Sequence, residues 1–192
     1  MQGQQMLDSN SSIIISGNPT YGVSEALNKV ITADFFSRSH NNFDLCLEDV
    51  QNKFSCLSLN YNIYISCSSL GNFNQAKIID KVYNTWIESS HTGHIIIIGS
   101  SIDIHSDLSR PYAKEKMALR NFSRKHATSL FKKNNGIRIT YLAPGTLDTE
   151  SMRKQKPEMA KINLDYLAST IKWLIDQPLN INICELTLDA FN

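Results

Sequence analysis

Short apolar runs alternate with longer amphipathic segments along the chain, and this alternation constrains the fold more than any other feature. The runs have the length of buried strands and occupy residues 13–16, 33–39, 61–66, 94–99, 137–142 and 181–188. The segments between them carry apolar residues at helical spacing over 23–31, 47–57, 73–88, 112–133 and 163–176. Strands joined by helical crossovers build a parallel sheet with helices on both faces. The sequence therefore predicts an α/β fold with a doubly wound parallel sheet.

Length and composition fit one domain. The chain has 192 residues, of which 42% are hydrophobic, and this is enough for one ordinary core. Residues 1–12 lack periodicity, so we predict a flexible N-terminal arm there and a single domain over 13–192. The formal net charge of +1 lacks the positive excess of a phosphate-tracking protein, which argues against a nucleic-acid partner.

The sequence predicts neither a membrane partner nor a metal site. The longest apolar run, 95–98, is far shorter than a membrane span of ~20 residues, and the first dozen residues lack the basic start of an export signal. The four cysteines are irregularly spaced without a CxxC pair, and the five histidines are dispersed. We therefore expect a cytoplasmic protein whose cysteines are buried free thiols.

A glycine turn follows the first predicted strand, at the end of the sheet where such folds bind ligands. Gly17 and Gly22 bound this turn and lead into a helical segment. Glycines there allow backbone N–H groups and a helix N-terminus to approach a pyrophosphate. A plain tight turn has the same spacing, so both interpretations stay open from this motif alone.

A tyrosine and a lysine stand four residues apart at the start of a predicted helix. Tyr112 and Lys116 therefore share one helical face, and Ser100 and Ser101 end the strand before it. A free tyrosine has a pKa of ~10, so it needs an adjacent ammonium to act as an acid or base near neutrality. A YxxxK pair also arises by chance on exposed helices, but the serine pair before it favours a proton-transfer site.

The serine pair, the YxxxK spacing and a following proline–glycine segment together resemble the short-chain dehydrogenase/reductase family. That segment is GIRITYLAPGTLDT over 136–149, which follows the family's IRVNxxxPGxxxT pattern closely. The resemblance spans almost the whole chain and is most specific over 93–149. It implies a Rossmann-like fold in a single domain and a small-molecule carbonyl or alcohol as substrate.

The resemblance also implies roles for the catalytic residues. Tyr112 would be the acid/base, and Lys116 would bind the nicotinamide ribose and lower the pKa of the tyrosine. Either Ser100 or Ser101 would orient the substrate carbonyl. The family's spacing to the tyrosine favours Ser100, whereas the second serine of such a pair is more often the functional one, and we predict Ser101.

The family's fourth catalytic residue is an asparagine in the preceding helix. Asn72 and Asn74 both lie near that place, and Asn72 fits the family pattern better because Asn-Phe precedes the apolar helix. The chain is short for the family, with a small segment after Thr149 where larger members build a lid. The basic stretch 152–157 within it either attracts an anionic substrate or forms a solvated charged surface.

The part of the chain that would bind the cofactor departs from the family pattern at two motifs. The family's TGxxxGxG would place glycines at Tyr21 and Val23. The family's NNAG is replaced by SCSS over 66–69. Arg38 stands where family members that prefer NADP carry a basic residue for the 2′-phosphate, so NADP(H) is preferred to NAD(H). Asp44 resembles the acid that contacts the adenine from the end of the third strand. The implied cofactor-binding residues are Gly17, Tyr21, Gly22, Arg38, Asp44, Ser68, Tyr112, Lys116, Pro144, Gly145 and Thr149.

Two functions remain possible at this point. The first is an NADP(H)-dependent oxidoreductase of the short-chain dehydrogenase/reductase type, and the second is a catalytically silent dinucleotide-binding sensor or accessory subunit. The intact serine, tyrosine and lysine favour the enzyme. Family members pair helices across two-fold interfaces, so the apolar stripes at 78–87 and 117–131 predict a homodimer or homotetramer.

Overall fold

The computed structural model describes residues 12–104, 109–127 and 136–191. Six strands form one sheet in the order β2-β1-β3-β4-β5-β6, and every neighbouring pair is parallel. The predicted α/β fold, a doubly wound parallel sheet in one domain, is confirmed. The strands are β1 (Ile13–Ser16), β2 (Asp34–Phe36), β3 (Ile63–Ser66), β4 (Gly93–Ile98), β5 (Ile137–Pro144) and β6 (Glu185–Leu188).

Seven α-helices within the described residues connect these strands. They are α1 (Gly22–Asn28), α2 (Arg38–Asn41), α3 (Glu48–Leu57), α4 (Asn74–Glu88), α5 (Pro111–Ala127), α6 (Glu150–Gln155) and α7 (Leu164–Ile175). Short 3₁₀ turns follow α3 and β4, at Ser58–Asn60 and Ser101–Asp103. None of the described helices is long and apolar enough to cross a membrane.

The sheet has an apolar core on each face because its strands are buried on both sides. Along β1, Ile14 packs on the face that α3, α4 and α5 cover. Ile13 and Ile15 pack on the opposite face, which α1 and α7 cover. This accounts for the continuous isoleucine runs of the central strands, since a strand with two buried faces needs no polar alternation.

The strand order reverses at β1, because β2 lies on one side of it and β3 on the other. Ligands bind such sheets in the crevice at the carboxyl ends of the strands next to this reversal. The backbone N–H groups of Cys67 and Ser68 both donate to the Ser16 carbonyl, at 3.0 and 2.8 Å, and tie the ends of β1 and β3 together there. These two hydrogen bonds lie at the floor of the crevice.

Several predicted boundaries differ from the structure. The strand predicted over 33–39 ends at Phe36, because the Ser37 hydroxyl accepts a hydrogen bond from the His40 N–H (3.2 Å) and caps α2. The strand predicted over 181–188 begins only at Glu185, and α6 was not predicted. The arm predicted over 1–12, apart from Ser12, and the last part of the helix predicted over 112–133 lie outside the described residues.

The burial of the cysteines and of the apolar stripe on α4 differs from the sequence expectation. All four cysteines are free, but Cys46 and Cys56 are exposed, so the prediction of burial is wrong for these two. The apolar stripe of α4, including Ile78, Val82 and Trp86, is fully buried against the sheet of its own chain. That stripe therefore offers no surface to a second copy, and the oligomeric state stays a prediction.

Candidate active site

The loops after β3 and β4 and the first turns of α4 and α5 converge at the carboxyl edge of the sheet. Four polar side chains meet there: Ser100, Tyr112, Lys116 and Gln75. The serine follows β4, the tyrosine and lysine begin α5, and the glutamine begins α4. The predicted serine–tyrosine–lysine group is therefore close in space, together with one residue that the sequence reasoning did not select.

Tyr112 is a neutral phenol in this environment. Its side chain is partly accessible, with 43% of the residue exposed. Burial raises its pKa, the nearby carboxylates of Asp103 and Glu115 raise it further, and a hydrogen bond with the Ser100 side chain opposes them. The net shift is upward, so the group holds its proton near neutrality and can donate it.

Ser100 is the serine whose hydroxyl reaches Tyr112. The same hydroxyl oxygen accepts the Ile102 N–H at 3.3 Å and thereby caps the 3₁₀ turn after β4. Ser101 is buried as the first residue of that turn. The geometry thus favours Ser100 over Ser101, which the sequence argument preferred.

Lys116 is buried beneath the tyrosine, with only 4% of the residue exposed. Its ammonium lies 5.4 Å from the centroid of the Tyr112 ring and donates to Gln75 Oε1 (2.9 Å) and the Ile98 carbonyl (3.2 Å). Burial lowers the pKa of Lys116 to about 8, although the Glu115 and Asp103 carboxylates oppose the shift. The lysine therefore titrates within a range that an enzyme assay can reach.

Gln75 is fixed by its own hydrogen bonds. Its Nε2 donates to the carbonyl of Ser66 (3.3 Å), to the Ser66 hydroxyl (3.2 Å) and to the Ile98 carbonyl (3.3 Å). The amide oxygen is consequently turned toward Lys116. A sequence signal existed, because residue 75 lies on the same helical stripe as the buried Ile78 and Ile79, where a polar residue requires an explanation.

Asn72 lies in the turn before α4, and Asn74 is the first residue of that helix. Asn72 is exposed and has a left-handed backbone with φ of 58°. Asn74 is buried, where its Nδ2 donates to the Gly71 carbonyl (2.8 Å) and its carbonyl accepts from Gln51 Nε2 (3.4 Å). Both residues shape the turn, whereas Gln75 is the α4 residue that contacts Lys116.

A buried ionic network is hydrogen-bonded to the backbone of Ser100. Arg120 makes a bidentate ion pair with Asp103, at 2.8 and 2.7 Å, and also pairs with Glu185. The Tyr141 hydroxyl donates to Asp103 (2.7 Å) and accepts the Ser100 N–H (3.3 Å). This network joins the turn after β4 to α5, β5 and β6.

The glycine turn after β1 leaves an open approach to the crevice. Gly22 has φ of +60°, and no atom lies within 4 Å of the position that a side chain would occupy there. Gly17 is required because a Cβ would collide with Ser24 and come within 3.2 Å of the Cys67 Cβ. Tyr21 is exposed, so its side chain does not fill the turn.

Arg38 and Asp44 lie beyond β2. Arg38 begins α2, its side chain is exposed, and its guanidinium lies 3.9 Å from the Asp44 carboxylate. Asp44 lies in the loop between α2 and α3, and its contact with the adenine stays a prediction.

The segment after β5 forms the opposite wall. Gly145 donates its N–H to the Leu188 carbonyl (2.8 Å), and a Cβ there would collide with Asp189. Pro144 is the buried last residue of β5, and Thr149 caps α6 by accepting the Met152 N–H (3.3 Å). Two of the three basic residues in 152–157 are paired: Arg153 with Asp148 (2.7 Å) and Lys154 with Glu150 (2.6 Å). Their pairing favours the solvated charged surface over an anion-attracting one.

No group of three or more histidine, cysteine, aspartate or glutamate side chains suited to a metal ion occurs among the residues that the structure describes.

Solved structures with this fold include several dehydrogenases and a ribose-5-phosphate isomerase from Brucella melitensis 16M. The chain matches serine dehydrogenase from Escherichia coli with a TM-score of 0.70 at 16% identity, covering 92% of this chain and 96% of that chain. It matches 4-hydroxyisoleucine dehydrogenase complexed with NADH with a TM-score of 0.71 at 23% identity, covering 94% and 97%. It matches a short chain dehydrogenase from Burkholderia cenocepacia J2315 in complex with NADP with a TM-score of 0.73 at 14% identity, covering 94% and 88%. No family model matches the sequence, and a search of curated proteins gave no significant match. The TM-scores establish a shared fold, and identities this low establish nothing beyond it.

Proposed function

We propose that the chain is an NADP(H)-dependent oxidoreductase of the short-chain dehydrogenase/reductase type. The observation that carries this proposal is the contact of a serine hydroxyl with a tyrosine whose ring lies 5.4 Å from a buried lysine. All three groups stand at the carboxyl edge of a doubly wound sheet. Solved dehydrogenases with this fold, two of them with a bound nicotinamide dinucleotide, support the same reaction class.

The residues of the crevice fit a dinucleotide. The open approach above Gly22 and the tight packing at Gly17 suit the close passage of a pyrophosphate. Ser68 lies in the loop just after β3, and Pro144, Gly145 and Thr149 would border the nicotinamide. Arg38 is the basic group beside β2 that would pair with a 2′-phosphate, which is why we favour NADP(H) over NAD(H).

The bound cofactor would supply or accept the hydride at the substrate carbon. In the reducing direction, Ser100 holds the carbonyl oxygen by a hydrogen bond and Tyr112 donates its phenolic proton to that oxygen. The resulting phenolate is stabilised by the Lys116 ammonium, and solvent later returns the proton. Oxidation of an alcohol uses the same groups in the opposite order.

Gln75 would take the supporting place expected of an asparagine. It is neutral, so it positions Lys116 without adding the negative charge that would raise the pKa of the lysine. The pKa of Lys116 therefore stays at about 8. We propose Gln75 as the positioning residue of the site.

Calorimetric titration with NADPH and NADH tests the cofactor assignment. Wild-type protein should bind NADPH more tightly than NADH, and Arg38→Ala should weaken NADPH binding by about tenfold or more while NADH binding changes little. A screen of carbonyl compounds by NADPH oxidation then tests turnover. Tyr112→Phe should reduce kcat by about 10²–10⁴-fold, the usual contribution of acid–base catalysis.

Two outcomes would contradict the proposal. Failure to bind either nucleotide would favour the catalytically silent accessory subunit, because the altered glycine turn would then have closed the site. Full turnover by the phenylalanine variant would remove the proton-transfer role of Tyr112.

A further inference from the structure

The turn before α4 carries an aromatic side chain on a strained backbone next to the proposed site. Asn72 and Phe73 both have φ of 58°, in the left-handed region. Asparagine tolerates this region, but a bulky phenylalanine there is an outlier. The glycine of this turn, Gly71, stands before both residues and does not itself have a positive φ.

Hydrogen bonds from the site hold this strained turn in place. The Phe73 N–H donates to Glu115 Oε1 at 3.2 Å, and the Asn74 side chain donates to the Gly71 carbonyl at 2.8 Å. Glu115 lies one helical turn after Tyr112 and directly before Lys116. The turn is thus anchored to the segment of α5 that bears the reacting groups.

The Phe73 ring lies outside the two apolar cores. Phe73 is 42% exposed, and within residues 12–104, 109–127 and 136–191 its side chain belongs to neither apolar core and contacts no other aromatic ring. Glycine at this position would relieve the backbone strain and remove exposed apolar surface. Stability alone therefore gives no reason for a phenylalanine here, whereas strain retained beside a reactive site is typical of function.

A second exposed apolar side chain comes from the next loop. Ile104, 49% exposed, ends the 3₁₀ turn that begins beside Ser100, and its N–H donates to the Ser101 carbonyl at 3.0 Å. Phe73 and Ile104 are therefore exposed apolar side chains on the two loops that follow β3 and β4. Arg153 and Lys154 of α6 are paired with carboxylates, so they do not favour an anionic substrate.

We propose that Phe73 is a specificity-determining residue and that the substrate carries an apolar ring next to its carbonyl or carbinol carbon. The inference rests on the proposed oxidoreductase function and names the substrate class for the same site. The ring of Phe73 would stack against the apolar group and cover it from water.

A pair of alcohols tests this proposal without requiring turnover. Protein saturated with NADP⁺ is titrated with 2-naphthalenemethanol and, separately, with glycerol, and binding is followed by saturation-transfer NMR. Wild type should bind the naphthyl alcohol and show no saturable glycerol binding. Phe73→Gly and Phe73→Asn should each weaken naphthyl binding about tenfold.

Leu47→Gly is the matched control, because Leu47 is also an exposed apolar side chain at the start of a helix but lies in the loop before α3. This control should bind the naphthyl alcohol as wild type does. The midpoint of thermal unfolding should not fall in Phe73→Gly, since the ring contributes no core contact.

Failure of this inference can be told apart from failure of the proposed function. If calorimetry shows no NADP⁺ or NADPH binding, the oxidoreductase proposal fails and the inference with it. If the nucleotide binds but the naphthyl alcohol does not, or binds equally well to the Phe73 variants, the inference alone is overturned. A large fall in the unfolding midpoint of Phe73→Gly would also overturn it, because the ring would then be a packing residue.

Discussion

The ammonium of Lys116 has neutral acceptors, Gln75 Oε1 and the Ile98 carbonyl, and its pKa is lowered to about 8 by burial. If the charged lysine is needed to stabilise the Tyr112 phenolate, kcat/KM should fall above pH 8 in the wild type. Gln75→Glu places a carboxylate beside the ammonium and raises the pKa of the lysine. The fall of kcat/KM at alkaline pH, the alkaline limb of the profile, should therefore move to higher pH. Gln75→Leu removes an acceptor and should move it to lower pH.

The pH dependence of kcat/KM between pH 6 and 10 measures these shifts. A purely structural role for Gln75 predicts that both variants lose activity without moving the alkaline limb, and this result would contradict the positioning role. Direct titration of the lysine by NMR gives a second readout that does not depend on turnover.

Individual site residues differ in how far the sequence reveals them. The i, i+4 spacing predicts that Tyr112 and Lys116 share a face, and they do, because helix geometry is local. The choice between Ser100 and Ser101 depends on where β4 passes into the 3₁₀ turn, which is a backbone detail that no side-chain pattern encodes. Gln75 was missed because matching by residue type selected asparagines, whereas burial on the α4 stripe identifies the glutamine.

At the scale of elements, the end of β4 is fixed by a close approach to β5. A Cβ on Gly99 would lie 2.5 Å from Tyr141 Cε2 and even nearer to other atoms of that ring, so the strand can end beside the serines only with glycine. Gly99→Ala should lower the free energy of unfolding by about 1–3 kcal/mol through overpacking. Combining it with Tyr141→Ala should make the two effects clearly non-additive, because the second change removes the collision.

Urea denaturation of the two single variants and the double variant measures this coupling. Gly71→Ala is the control, since no atom lies within 4 Å of a Cβ at that position. Additive losses in the double variant would show that Gly99 is required for another reason.

The elements themselves were largely predictable where apolar periodicity is strong. The helical stripe over 73–88 gave α4 to within one residue of Asn74–Glu88, because burial against the sheet and helical spacing demand the same residues. The end of β2 was not predictable from hydrophobicity, because it depends on the Ser37 cap of α2.

At the scale of the whole molecule, the buried His94 makes stability depend on pH. Its Nε2 lies 2.8 Å from the Thr140 hydroxyl between β4 and β5, and burial lowers its pKa to about 3, with the Arg138 guanidinium adding to the shift. The ordinary pKa of a histidine is 6.5. Below pH 6.5 the unfolded chain therefore binds a proton at His94 that the folded chain binds only near pH 3, so the free energy of unfolding decreases over this range.

Between pH 7 and pH 5 this single group should cost the wild type about 2 kcal/mol of unfolding free energy, because the unfolded histidine is protonated at pH 5 and the folded one is not. The variant His94→Phe/Thr140→Val removes both hydrogen-bonding partners together and should lack this part of the pH dependence. Urea denaturation at the two pH values measures the difference. An equal loss of stability in wild type and variant would mean that other groups carry the acid sensitivity and that His94 is protonated within the folded sheet.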